Sequence, residues 1–262
     1  MISIYHSAFN LNKHGFIGWQ DCLRNSCFFA DEVVVAINIS TSTDDTKDIV
    51  EEILKKEAKS WKIVPTFFSS NDPWFDGKIK NAALQSCTQE FKLQLDLDEY
   101  VPMWQRQLWN NICFKLKFDS NISCLAVPSV NLYKDIHHYS SINHKQYLHK
   151  GLAYRAPQIR ARKPDGTINT LMSDGCDLVD ENGNFIPTAA IEKNLEALES
   201  KQVPFIVHLG YLNLNSRLKR NHEFWYEHWH VEGGGQSPAH TIHMKEDFSD
   251  FDYPYIEHKL NL

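Results

Sequence analysis

The chain has no long apolar run: the longest uninterrupted one, Val33–Ile37, falls far short of the ~20 residues that a membrane-crossing helix needs. It has no excess of positive charge. A formal net charge of −6 and a pI near 6.1 exclude the basic surface of a nucleic-acid binder, so no nucleic-acid partner is expected. It has no Cys-x-x-Cys pair among Cys22, Cys27, Cys87, Cys113, Cys124 and Cys176. The even count leaves disulfides open, but several of these cysteines sit inside apolar runs, and reduced core thiols are expected. Nothing at the N-terminus resembles a signal peptide, since Met1–Tyr5 reads as an opening strand, so a cytoplasmic protein is expected. Glycine is scarce where a phosphate loop would need it: residues 7–15 offer only Gly15. Internal repeats and low-complexity linkers are also lacking. One domain spanning 1–262 is therefore expected, and its length suffices for a single large α/β core.

What is present alternates. Ile2–His6 reads as a strand, and Phe16, Trp19, Gln20, Leu23 and Cys27 recur at helical spacing over about residues 15–29. Glu32–Asn38 carries the best buried-strand pattern. The hydroxyl- and acid-rich turn Ser40–Thr46 supplies an N-cap for a helix with Ile49, Val50, Ile53 and Leu54 on one face. Trp61–Phe68 reads as a strand, Lys78–Cys87 as a helix, and Phe91 onward as a strand again. This β-α-β-α-β-α-β order predicts a mostly parallel, twisted sheet flanked by helices, with ligands outside the carboxyl ends of its strands. The second half is less regular. Cys124–Leu132 and Pro204–Leu209 read as strands, Asn213–His230 as a helix, and His137–Arg162 as an aromatic, basic segment, either a lid or a mobile solvated loop.

The segment Phe91–Tyr100 carries the chemistry. Alternation puts Leu93, Leu95 and Leu97 on one side and Asp96 and Asp98 on the other, with Glu99 next in line. Two carboxylates at a strand end form a chelate for Mg²⁺ or Mn²⁺, which keeps open positions for phosphate oxygens. Solvated turn acids are the plain alternative. His208 closes an apolar strand and reads either as a third ligand, which would favour Mn²⁺, or as a buried structural histidine.

In order along the chain, Ala30–Ala36, the Ser42–Thr46 turn, Lys78-Ile-Lys-Asn81-Ala-Ala-Leu84 and Asp96-Leu-Asp-Glu99 resemble the motifs of family 2 glycosyltransferases. The resemblance covers roughly residues 1–105, and Val207–Tyr211 with Arg217, Arg220 and Asn221 resembles a later segment of the same family. It implies the GT-A (nucleotide-diphospho-sugar transferase) fold, with residues 1–105 as the nucleotide-sugar-binding half. Residues 106–262 would form the acceptor-side half and C-terminal helical tail. It implies a metal-dependent hexosyltransferase-like enzyme taking a UDP- or GDP-sugar to a saccharide or lipid-linked acceptor. In the latter case the protein would work peripheral to a membrane.

By the same resemblance Asp98 is the direct metal ligand, and Asp96 lies near both the ribose and the metal. Asn38 stands where relatives carry an acid that contacts the nucleotide, and its amide can bond a uracil edge or a ribose hydroxyl. Lys78 reads either as a contact to the diphosphate or as a surface-helix lysine. Inversion requires a general base after the metal strand, for which Asp177 and Asp174 are the candidates, with turn acids as the alternative. Glu99 points to the opposite side and reads as a salt-bridge or turn residue. Two other functions compete: a nucleotidyltransferase or phosphohydrolase, and a non-catalytic carbohydrate-binding protein with a degenerate GT-A fold.

Overall fold

A computed structural model describes residues 1–13, 15–16, 18–40, 42–69, 75–140, 149–154, 158–161, 176–180, 182, 184–191, 195–212, 255–257 and 259. The first half runs β1 (Ile2–Ala8), α1 (Trp19–Phe29), β2 (Glu32–Asn38), α2 (Thr46–Glu57), β3 (Trp61–Thr66), α3 (Phe75–Gln85) and β4 (Phe91–Gln94). The chain continues through β5 (Glu99–Tyr100), a 3₁₀ turn at Met103–Gln105, α4 (Arg106–Phe118), β6 (Cys124–Tyr133), β7 (Asp135–Ser140), β8 (His149–Tyr154) and β9 (Gln158–Ala161). It ends with β10 (Cys176–Val179), β11 (Thr188–Ala190), α5 (Leu195–Glu199), β12 (Ile206–Tyr211) and β13 (Tyr255–Glu257).

The main sheet has the order β13-β7-β6-β8-β4-β1-β2-β3. Its first-half strands are parallel, β4 beside β1, β1 beside β2 and β2 beside β3, as the alternating order predicts. The second half is mixed. β8 inserts antiparallel between β4 and β6, β7 pairs antiparallel with β6, and β11 and β12 run parallel to β6. Part of the segment expected to be an acceptor-side lid is thus sheet: β8 lies between two buried strands, with Leu152 and Ala153 in the core.

Alternation builds the two faces. Ile2, Ile4, Val33, Val35 and Ile37 face one way, under Trp19, Leu23, Val50, Ile53, Leu54, Trp109 and Leu116 from α1, α2 and α4. Tyr5, Val34 and Ala36 face the other way, against Ile79, Ala83 and Leu84 of α3. Burying such side chains stabilises by about 1.5–3 kcal/mol each. Helix α1 begins at Trp19, later than its apolar spacing suggests, because Gly15 and Gly18 take φ of 61° and 68°, outside helical space. Helix α4 was not expected. Its signal is nonetheless in the sequence, because Trp109, Ile112, Cys113 and Leu116 are buried at helical spacing. β3 is an edge strand, and Pro65 falls there because an edge tolerates a missing donor. Cys22, Cys27, Cys87, Cys113 and Cys124 are free thiols. Burial pushes Cys27, Cys87, Cys113 and Cys124 up to about 12, which keeps them protonated.

At the amino end of the sheet, the Glu32 carboxylate fastens three segments. It accepts hydrogen bonds from the Ser3 hydroxyl, from Thr88 N–H (2.8 Å) and from Thr88 Oγ1 (2.9 Å). Burial alone would raise its pKa, but these donors outweigh burial and hold it below the usual carboxylate value. A carboxyl lowered in the folded state stabilises the fold above its unfolded pKa of about 4.3, and that contribution disappears as pH falls through the folded value. Glu32→Gln should therefore cost about 1–3 kcal/mol at pH 7. The gap to the parent protein should close as pH is lowered below about 4, read as melting temperature against pH. A gap that stays constant down to pH 3 would contradict this.

Candidate active site

Strand β4 stops at Gln94, but Leu95 N–H still donates to Tyr5 O at 3.2 Å, and the chain then turns. Asp96 and Asp98 therefore lie on a turn beyond the carboxyl end of β4, not on one face of a continuing strand as the alternation suggested. The turn closes on itself: Glu99 N–H donates to Asp96 O (3.0 Å), and Asp96 N–H donates to Glu99 Oε2 (2.8 Å). Glu99 is thus a turn contact, one of the two readings its position allowed. Leu209 N–H of β12 donates to Asp98 O at 2.8 Å, holding the turn against the later strand.

Helix α1 fixes both ends of this turn. At the entrance, His6 on β1 is fully buried, and burial pushes it down to about 4 despite its contact with Leu95 O. It is neutral at physiological pH and carries a single ring N–H. His6 Nδ1–H donates to Leu95 O (2.8 Å), so Nε2 accepts from the Ser26 hydroxyl (3.1 Å). At the exit, the Asn25 amide donates to Val101 O (3.0 Å) and accepts from Val101 N–H (3.1 Å), taking the place of a neighbouring strand.

The turn meets β12 at His208. Asp98 is buried, and its Oδ2 lies 3.3 Å from His208 Nε2. His208 Nδ1 lies 2.8 Å from Asn131 Oδ1 on β6, the residue paired with it in the parallel ladder. An amide oxygen can only accept, so Nδ1 carries the proton. Nε2 then faces the carboxylate: with a second ring proton it donates to Asp98 Oδ2, and without one the two acceptors can share a divalent cation. Asp98 and His208 fit a divalent ion as a carboxylate–imidazole donor pair. Among the described residues no group of three His, Cys, Asp or Glu side chains converges.

Asp96 has a different neighbour. Its Oδ1 lies 3.4 Å from Lys80 Nζ, and Lys80 is 4% exposed. Lys78, read from the sequence either as a diphosphate contact or as a surface-helix lysine, is exposed, with Nζ 5.9 Å from the Phe68 ring centroid. Two positions along a helix turn the side chain about half-way round, so Lys80 faces the acidic turn where Lys78 does not. Asn38 is fully buried at the end of β2. Its Oδ1 accepts from Phe68 N–H (2.9 Å) and its Nδ2 donates to Phe68 O (3.0 Å) and Ser40 Oγ (3.3 Å). The amide thus extends the β2–β3 pairing and sets the position of Ser40 and Phe68 at the rim. Asp177 lies in β10, paired with Arg160 of β9. Asp174, Arg217, Arg220, Asn221 and the helix expected over Asn213–His230 lie outside the described residues.

The neighbouring rim loops are knitted together. Thr43 N–H donates to Asn10 Oδ1 (2.9 Å), Leu11 N–H to Thr46 Oγ1 (2.9 Å), and Lys13 N–H to Asp44 Oδ2 (3.0 Å). The expected side-chain cap does not form: Asp45 at the N-cap of α2 makes no cap bond, and Asp44 Oδ1 instead accepts from Thr46 N–H at 3.1 Å in a turn just ahead of the helix. His6, Asn25, Ser26, Lys80 and Asn131 escaped the sequence reading. Only Lys80 had a local signal, its place beside Asn81 in the helix before the acidic turn.

No protein-family model matches the chain, and no curated protein matches it. Among solved structures, the chain is similar to residues 1–349 of S. aureus TarS at 16% identity, with a TM-score of 0.44, covering 95% of this chain and 72% of that one. It is also similar to the Pyrobaculum calidifontis mannosyltransferase PcManGT in complex with GDP-Man and Mn²⁺, at 13% identity and a TM-score of 0.47, covering 94% and 69%. M. tuberculosis glucosyl-3-phosphoglycerate synthase is similar at 12% identity and a TM-score of 0.36, covering 58% and 57%.

The ion pair of Lys80 and Asp96 makes a prediction that separates the two lysines. Lys80→Ala leaves a carboxylate beside a buried gap and should lower stability by about 2–4 kcal/mol, while Lys78→Ala should stay within about 0.5 kcal/mol of the parent. Chemical denaturation of both variants checks this. Equal losses would show that Lys80 has no special place.

Proposed function

We propose that the chain is a GT-A-type glycosyltransferase that moves a sugar from a nucleoside-diphosphate donor to a hydroxyl acceptor, depends on Mn²⁺ or Mg²⁺, and inverts the anomeric centre. The observation that carries this reading is the Asp98–His208 pair. A buried carboxylate and an imidazole nitrogen meet at 3.3 Å, on a turn fixed at the carboxyl rim of a parallel sheet. That rim is where α/β sheets hold their ligands. The ordered motifs of residues 1–105 support the same reading.

A divalent ion held by Asp98 and His208 would neutralise charge growing on the departing diphosphate. The remaining work falls to the chain. Lys80 keeps Asp96 in place and adds positive charge to the diphosphate side. The rim loops held by Asn10, Asp44 and Thr46, with Ser40 and Phe68 set by Asn38, line the end of the sheet where the nucleotide would lie. Asn38 thereby serves nucleotide binding by shaping that rim, and Lys78, exposed at its edge, would contact a phosphate. Asp177 or Asp174 would accept the proton of the attacking hydroxyl. Residues 1–105 would act as the donor half and 106–262 as the acceptor half of one unit. No helix among the described residues is long and apolar enough to cross a membrane. Work in the cytoplasm, on a saccharide or on a lipid-linked acceptor at a membrane surface, suits this reading.

Thermal shift tests it directly. A ligand that binds only the folded state raises the melting temperature by mass action. UDP or GDP should raise it only together with Mn²⁺, and the shift should vanish in Asp98→Ala and in His208→Ala. A nucleotide shift that needs no metal, or one that survives Asp98→Ala, would overturn the assignment.

A further inference from the structure

We infer that Asn131 is a positioning residue that selects the His208 tautomer and aims Nε2 at the cation site, and thereby sets the preference for Mn²⁺ over Mg²⁺. This rests on the metal-dependent reading above. Asn131 is fully buried on β6, directly across the ladder from His208. Its Oδ1 takes the Nδ1 proton at 2.8 Å, which leaves Nε2 as the ligand nitrogen 3.3 Å from Asp98 Oδ2.

The amide has a cost. Asn131 Nδ2 has no hydrogen-bond partner among the described residues, and Ser129 Oγ, two residues earlier on the same strand, is in the same state. A buried donor left unmade costs about 1–3 kcal/mol, which an apolar side chain of similar size would avoid. The compensating contact is the one to His208. A ring without it could rotate or take the other tautomer, placing an N–H where the ion belongs. Imidazole nitrogen is a better ligand for Mn²⁺ than for Mg²⁺, so the loss should fall unevenly on the two ions.

The test titrates Mn²⁺ onto the full chain with UDP, and with GDP in parallel, following the free-Mn²⁺ signal by electron paramagnetic resonance; Mg²⁺ is measured by competition. Asn131→Leu should weaken Mn²⁺ binding by about 10–100-fold and reduce the Mn²⁺ over Mg²⁺ preference, whereas Asn131→Asp, which keeps the acceptor, should retain both. Nitrogen-15 NMR of the parent protein gives a check independent of variant folding, because His208 should carry its proton on Nδ1. Parent-like Mn²⁺ affinity and preference in Asn131→Leu, or a proton on Nε2 in the parent, would overturn the positioning role. If Asp98→Ala still abolishes binding, the metal-dependent reading survives that failure. A parent protein that binds no Mn²⁺ with either nucleotide would overturn both.

Discussion

Everything at the candidate site depends on closing the Asp96–Glu99 turn without a strand ladder to hold it. Past Gln94 the chain leaves β4, and its backbone groups must find partners elsewhere or remain buried and unmade. The solution is local and side-chain based. Glu99 caps the turn from within, a buried neutral histidine holds its entrance, and an α1 amide holds its exit. These contacts join β1, α1 and the acidic turn into one unit, so a shift in any of them moves Asp98. β12 completes the unit through its bond to Asp98 O and through His208.

The first half of the fold was legible because its signals are periodic. The uninterrupted apolar run Val33–Ile37 and the helical spacing in Ile49–Leu54 mark elements that lie in the core of the structure. The second half was less legible for a physical reason. Its strands pair across long sequence distances, and β8 takes its place between β4 and β6 through pairings that no local pattern announces. The acidic turn shows the limit within a correct reading: Asp-x-Asp located the site, but alternation carried the strand past the point where hydrogen bonding ends. Lys78 and Lys80 show another. Composition marks a basic helix, while the helix phase, set by the packing of Ile79 and Ala83, decides which lysine faces the carboxylate.

Two buried carboxylates at opposite ends of the sheet show how environment divides structural from chemical roles. Glu32, at the amino end, is surrounded by donors from Ser3 and Thr88, which satisfy its oxygens within the fold and favour its charge. Such a group fastens strands and has little left to offer a ligand. Asp98, at the carboxyl end, faces one imidazole nitrogen of His208, whose other ring nitrogen bonds Asn131. A donor-rich shell makes a latch, and a carboxylate facing an imidazole makes a pair that a proton or a metal ion can bridge. His6 and His208 divide in the same way. The first uses both ring nitrogens on the chain itself, and the second uses one on Asn131 and turns the other toward a carboxylate. The residue type is the same in each pair. The difference lies in which neighbours the sheet register supplies, and that is why the assignment of function rests on the hydrogen-bond partners of these residues.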